Sequence, residues 1–97
     1  MLRPKLFQVA PTDDFKVFLY YDSGEIKLYD CSWILNESGV FSVLHDITVF
    51  NELCTIMNGT LAFDISHTRD PYNCIDICPD TVYEDSLKCN VDLLPAR

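Results

Sequence analysis

Three groups of residues in this 97-residue chain are of types that do chemistry. Cys74 and Cys78 are spaced like half of a metal site, and Cys31, Cys54 and Cys89 bring the cysteines to five. His67-Thr68-Arg69-Asp70 sets an imidazole, a guanidinium and a carboxylate side by side in a polar stretch, and loops are where function concentrates. Either His67 or His45 could act as base for a cysteine nucleophile, since such partners meet in space and not in sequence. The carboxylates Asp64, Asp70, Asp76, Asp80, Glu84 and Asp85 crowd the last third.

Each group also has a plainer account. In an extended segment Cys74 and Cys78 stand roughly 13 Å apart, too far to share a zinc ion or to form a disulfide. No Cys-x-x-Cys occurs, and neither histidine is spaced as a ligand to a cysteine. Five cysteines and two histidines offer many accidental pairings. Arg69 and Asp70 read more simply as ties for a surface loop, through hydrogen bonds and a weak ion pair. The acids lack the regular spacing and central glycine of a calcium loop. They read as a solvated face, or as a docking surface for a basic partner, because opposite potentials speed encounter. Gly-rich phosphate loops, Gly-x-Ser-x-Gly and His-Glu-x-x-His are all missing. No catalytic residue, metal ligand or cofactor is therefore expected. The cysteine count is odd, and Cys54, Cys74 and Cys78 lie in apolar runs that suit a small buried hydrophobe. All five are read as reduced thiols.

An aromatic stripe is the sharper feature. Phe15, Val17, Leu19 and Tyr21 share one face of an extended run, while Phe18 and Tyr20 occupy the other. Tyr29 is expected to join Phe18 and Tyr20 from the neighbouring strand. Exposed, such a patch marks a protein interface. The competing account is that the first strand, a helix or the Leu87–Leu94 tail covers it. The interface candidates are Phe18, Tyr20 and Tyr29 for apolar contact, with Asp80 and Glu84 for charge.

The elements that must position these residues are short. Leu6 to Ala10 reads as a strand ended by Pro11. Phe15 to Tyr21 is the strongest strand signal. Asp22-Ser23-Gly24 turns the chain, with Gly24 free to adopt positive φ, and Glu25 to Asp30 returns with Ile26 and Leu28 facing one way and Glu25, Lys27 and Tyr29 the other. Ser32 is placed to cap a short helix that Gly39 stops. Asp46 is placed to cap a second, with Val49, Phe50 and Leu53 on one side. Asn58-Gly59, flanked by Cys54–Met57 and Thr60–Ile65, is a strong hairpin signal. Cys74 to Ile77 reads as extended, and Pro79 opens a last helix through Tyr83. The sum is a single α+β domain over 1–97, with a small, mostly antiparallel sheet built from hairpins and two or three short helices. Its folded part is expected over about 5–85, with 86–97 a C-terminal tail.

Fifteen acids against seven bases give a net charge of −8, divided −3 over residues 1–48 and −5 over 49–97. That balance opposes direct contact with nucleic acid or an anionic membrane. Met1-Leu2-Arg3-Pro4-Lys5 precedes only a short apolar stretch, which does not read as a signal peptide, and no window approaches the ~18 apolar residues of a membrane span. The expected compartment is the cytoplasm.

Phe15–Tyr21, the Asp22-Ser23-Gly24-Glu25 turn and the return to Asp30 resemble the opening hairpin of the bacterial domain of unknown function 2442 family. Val40-Phe41, Leu44-His45-Asp46 with Phe50, Gly59-Thr60-Leu61-Ala62-Phe63-Asp64-Ile65 and Cys78-Pro79-Asp80-Thr81-Val82-Tyr83-Glu84 extend the likeness over about residues 5–85. The order and spacing carry it. Phe63 stands where the family often has Trp, and Cys78 where it has an acid or Ser, which are better helix caps. The resemblance implies a small α+β domain with no accepted catalytic residues, often encoded beside another small protein in an arrangement similar to toxin–antitoxin pairs. Some members carry a helix-turn-helix after the domain; Arg97 comes too soon for one.

The expected function is thus a non-enzymatic protein-binding module, the antitoxin-like or regulatory member of a small two-gene pair. A small basic protein is the expected partner, and a homo-oligomer is compatible with it. The alternatives are a ligand-sensing regulatory domain, which needs an apolar pocket, and a small enzyme with a Cys/His/carboxylate site.

Overall fold

Aromatic and β-branched runs on either side of Asp22-Ser23-Gly24 pair as the expected hairpin. In the computed structural model, which describes residues 4–89, β2 (Lys16–Tyr21) and β3 (Ile26–Asp30) are antiparallel, with Tyr20 opposite Ile26 and Val17 opposite Tyr29. Gly24 takes φ 92° in the loop between them. β1 (Leu6–Pro11) lies along the other side of β2, with a register shift between Leu6 and Gln8 that leaves Phe7 exposed.

Two 3₁₀ segments follow, Ser32–Asn36 and Gly39–His45. Ser32 was expected to cap the first. The capping acceptor is instead Asp30, whose carboxylate takes the Ser32 N–H at 2.8 Å. The His45 ring ties the two segments together: its Nε2 lies 2.9 Å from the Ile34 carbonyl and 3.0 Å from that of Glu37. Two acceptors there require Nε2 to carry the proton. α1 (Ile47–Leu53) begins as expected, with Asp46 accepting the Thr48 N–H.

Asn58-Gly59, both at positive φ, joins β4 (Cys54–Met57) to β5 (Thr60–Phe63), and β6 (Ile75–Asp76) pairs on the far side of β5. α2 (Pro79–Asp85) starts at its proline. β7 (Leu87–Lys88) then pairs with β3, so residues assigned to the tail form a strand. The class is α+β and antiparallel throughout, in two sheets: β1-β2-β3-β7 and β4-β5-β6.

The core lies between these sheets. Val17, Leu19, Tyr21 and Tyr29 of the first meet Leu61 and Phe63 of the second, closed by Ile34, Leu44, Phe50, Leu53 and Val82. Phe50 sits at its middle, with ring centroids 5.2 Å from Phe15 and 5.0 Å from Phe63. Each such side chain contributes roughly 1.5–3 kcal/mol by leaving water.

Candidate functional site

Strand pleating assigns every side chain of the first sheet to one of two faces. Val17, Leu19, Tyr21 and Tyr29 face the core. The other face follows from the register as three rows across the strands. Lys16 lies beside Asp30; Ala10, Phe18, Leu28 and Leu87 form the middle row; Gln8, Tyr20 and Ile26 form the third. The Cys89 N–H donates to the Ile26 carbonyl and extends that third row. Phe18, Tyr20, Ile26 and Leu28 are half-buried, and Leu87 is 72% exposed. The second sheet, α1 and α2 all pack on the first sheet from the core side.

Tyr29 does not belong to this patch. Standing opposite Val17, it points into the core and is 4% exposed, where its hydroxyl accepts the Trp33 indole N–H. Ile26 and Leu28 supply the apolar surface expected of it. Leu87 completes the middle row; of the proposed cover, residues 90–94 lie outside the described residues.

Asp80 and Glu84 are exposed on α2, one turn apart. α2 is held on the core side of the sheet. Tyr83 packs edge-on against Tyr21 at 5.2 Å, its hydroxyl donates to both Glu25 carboxylate oxygens at 2.8 and 3.0 Å, and Lys27 Nζ sits 3.9 Å above its ring. The acidic and apolar candidates therefore occupy opposite sides of one sheet.

The reactive residues do not converge. Cys31 is buried and its pKa is pushed up by desolvation first, then by Cys54 and Asp30. Burial likewise raises Cys54 to about 12. Cys78, expected within an apolar run, is exposed, because it precedes α2. There the Thr81 N–H, the Thr81 side chain and the Asp80 N–H lower its pKa. His67 is exposed in its loop at φ 60°. Arg69 donates to Thr55 Oγ1 and the Ile56 carbonyl at 3.0 Å each, and its N–H reaches the largely buried Asp64 carboxylate. Asp70 accepts the Tyr72 N–H. The loop is tied by hydrogen bonds, as the plainer account has it, with Arg69 reaching β4 rather than Asp70. Among the described residues no three His, Cys, Asp or Glu side chains gather as a metal site.

One shallow cleft of about 160 Å³ is lined by Val40, Ile65, Tyr72, Asn73, Cys74 and Ile75. Desolvation and the nearby acids Asp76, Asp64 and Asp70 raise the pKa of the Cys74 thiol, which lowers its thiolate fraction. No described helix is long and apolar enough to cross a membrane.

Compared with family models, characterised proteins and solved structures, the chain matches none.

Proposed function

We propose that this chain is a non-enzymatic protein-binding module whose contact surface is the outer face of its first sheet. The observation that carries this reading is the pair of rows Ala10-Phe18-Leu28-Leu87 and Gln8-Tyr20-Ile26, apolar in the main and turned away from the core. Leu87, 72% exposed, brings part of that surface to solvent, and exposed apolar surface marks interaction sites. On the resemblance to the domain of unknown function 2442 family, the chain acts in the cytoplasm as the antitoxin-like or regulatory member of a two-gene pair. Its exposed Asp80 and Glu84, across the sheet from those rows, then offer a second, charged surface to a small basic partner.

The test is native mass measurement of the tagged chain, alone and co-expressed with the product of the adjacent gene, as wild type and as Phe18→Asp. The wild type runs as an assembly larger than one chain, and Phe18→Asp dissolves that assembly while circular dichroism stays unchanged. A wild type that neither self-associates nor carries a partner overturns the reading. A neighbour whose toxicity this chain does not relieve ends its antitoxin part.

A further inference from the structure

We propose that the cleft beside β6 is a docking site for a basic protein segment, which seats an apolar side chain there with Lys or Arg as its sequence neighbours. This contact lies away from the first sheet and goes beyond the reading above. The floor of the cleft, Ile65 and Ile75, packs on the core. Its walls are Val40, early in the second 3₁₀ segment, and Tyr72, in the loop before β6. Both walls face solvent, Tyr72 at 97% exposure and Val40 at 64%. Val43, one 3₁₀ turn beyond Val40, is exposed on the same side. The cleft's volume of about 160 Å³ suits one side chain, since a cavity of about 150 Å³ holds a benzene ring. Tyr72 buries almost nothing against its own chain, yet its backbone is tied. The Asp70 carboxylate accepts its N–H at 2.9 Å, and the Asp70 carbonyl accepts that of Asn73 at 3.0 Å. An exposed aromatic on a tied backbone offers contact area at little entropic cost.

Charge selects the occupant. Residues 31–86 hold nine acids and one base, and the rest of the chain holds six of each, so the whole excess of −8 belongs to the part that carries the cleft. The one base, Arg69, turns its guanidinium to Thr55 Oγ1 and the Ile56 carbonyl of β4, at the opposite edge of the sheet from β6. Asp70 stands against Tyr72, and the exposed Asp76 follows Ile75. The register turns the Asp76 N–H and carbonyl away from β5, because Ile77, the next residue, donates its N–H to Leu61. Ile75 and Asp76 point to opposite faces of β6. An extended segment laid along that edge therefore presents alternate side chains to the apolar cleft and to Asp76, which is the pattern of alternating apolar and basic residues. An Arg of that segment also finds the open Tyr72 ring to lie over. An acidic segment meets repulsion from the same carboxylates.

The experiment follows the anisotropy of a labelled short peptide of alternating Arg and Leu as the full-length chain is added, at low and physiological salt, with Gln-for-Arg and Glu-for-Arg peptides as controls. The expected result is saturable binding that salt weakens, at least about tenfold weaker for the Gln peptide and lost for the Glu peptide. Tyr72→Ala and Val40→Asp, both at exposed positions, each weaken it about tenfold or more while circular dichroism stays unchanged. Asp76→Lys weakens it more than Glu84→Lys, which makes the same charge change on α2. Phe18→Asp leaves it unaltered. Absence of saturable binding up to about millimolar chain overturns the proposal, as does binding that survives both Tyr72→Ala and Val40→Asp. Equal effects of Asp76→Lys and Glu84→Lys reduce the attraction to net charge and overturn it too. Binding lost with Phe18→Asp but kept with Tyr72→Ala moves the contact to the first sheet, which overturns this proposal and leaves the earlier reading standing.

Discussion

Cys78 and Cys31 differ chiefly in what surrounds the sulfur. Cys78 stands in solvent ahead of α2, with the Thr81 N–H foremost among the groups that lower its pKa. Cys31 is wholly buried, and desolvation raises its pKa. Thiolate is the form that reacts, so accessibility and pKa act in the same direction. Iodoacetamide at neutral pH should therefore modify Cys78 first, at least about tenfold faster than Cys31 or Cys54, which wait on local unfolding. Mass mapping after brief labelling checks this, and equal rates for Cys78 and Cys31 would sink it. The likeness between the five cysteines in sequence thus dissolves into five environments. Spacing alone did not show that Cys78 is exposed, because a cysteine just before Pro79 reads equally as the end of an apolar strand or as a helix start.

At the scale of elements, α2 is clasped to the first hairpin through Tyr83. The phenol hydrogen bond is the largest cause lowering the Glu25 pKa, and the same bond is the largest cause raising that of Tyr83. Both shifts favour the ionised Glu with the neutral Tyr. The stabilisation is complete above the ordinary Glu value of 4.5 and is lost as pH falls through the lower folded value. It persists below the ordinary Tyr value of 10.0 and is lost as pH rises through the higher folded one. Glu25→Gln should flatten the acid limb, so that the urea midpoint of the variant falls less than that of wild type from about pH 6 to about pH 3. Parallel acid limbs in the two proteins would count against the clasp. Most elements were legible in the sequence, because their signals are local: Asn58-Gly59 for the second hairpin, Asp46 for the start of α1, Pro79 for α2. The side of Tyr29 is legible too, from the length of the loop rather than from the alternation within the strand. A three-residue loop, Asp22-Ser23-Gly24, sets Tyr21 against Glu25 and joins odd positions to odd ones, so Tyr29 must share the face of Val17. The division into two sheets was not legible, because it depends on which edges meet across the core. No local pattern in the 3₁₀ segment Gly39–His45 or in the two-residue β7 announces that.

The whole molecule combines one shared core with a divided surface. Phe50 touches Phe15 beside the first sheet and Phe63 in the second. Phe50→Ala should cost about 3–5 kcal/mol of a total near 5–15 kcal/mol. Both sheets should be lost in one transition, and fluorescence and circular dichroism melts that separate would show two cores. The surface obeys a different balance. Two bodies of charge −8 with centres about 25 Å apart repel by roughly 10 kcal/mol in pure water, most of which is screened at physiological salt, where the Debye length is about 8 Å. Asp80→Lys with Glu84→Lys changes the net charge from −8 to −4, and repulsion between copies varies as the product of the charges, so it falls about fourfold. Those two positions lie across the sheet from Phe18. The double variant should therefore self-associate more tightly than wild type at low salt, converge with it at high salt, and lose that association whenever Phe18→Asp is added. A basic partner should show the reverse, binding the variant more slowly with little change in its dissociation rate. Self-association that ignores both the charge change and the salt would mean that the −8 surface does not set association, and would leave only the apolar rows to govern it.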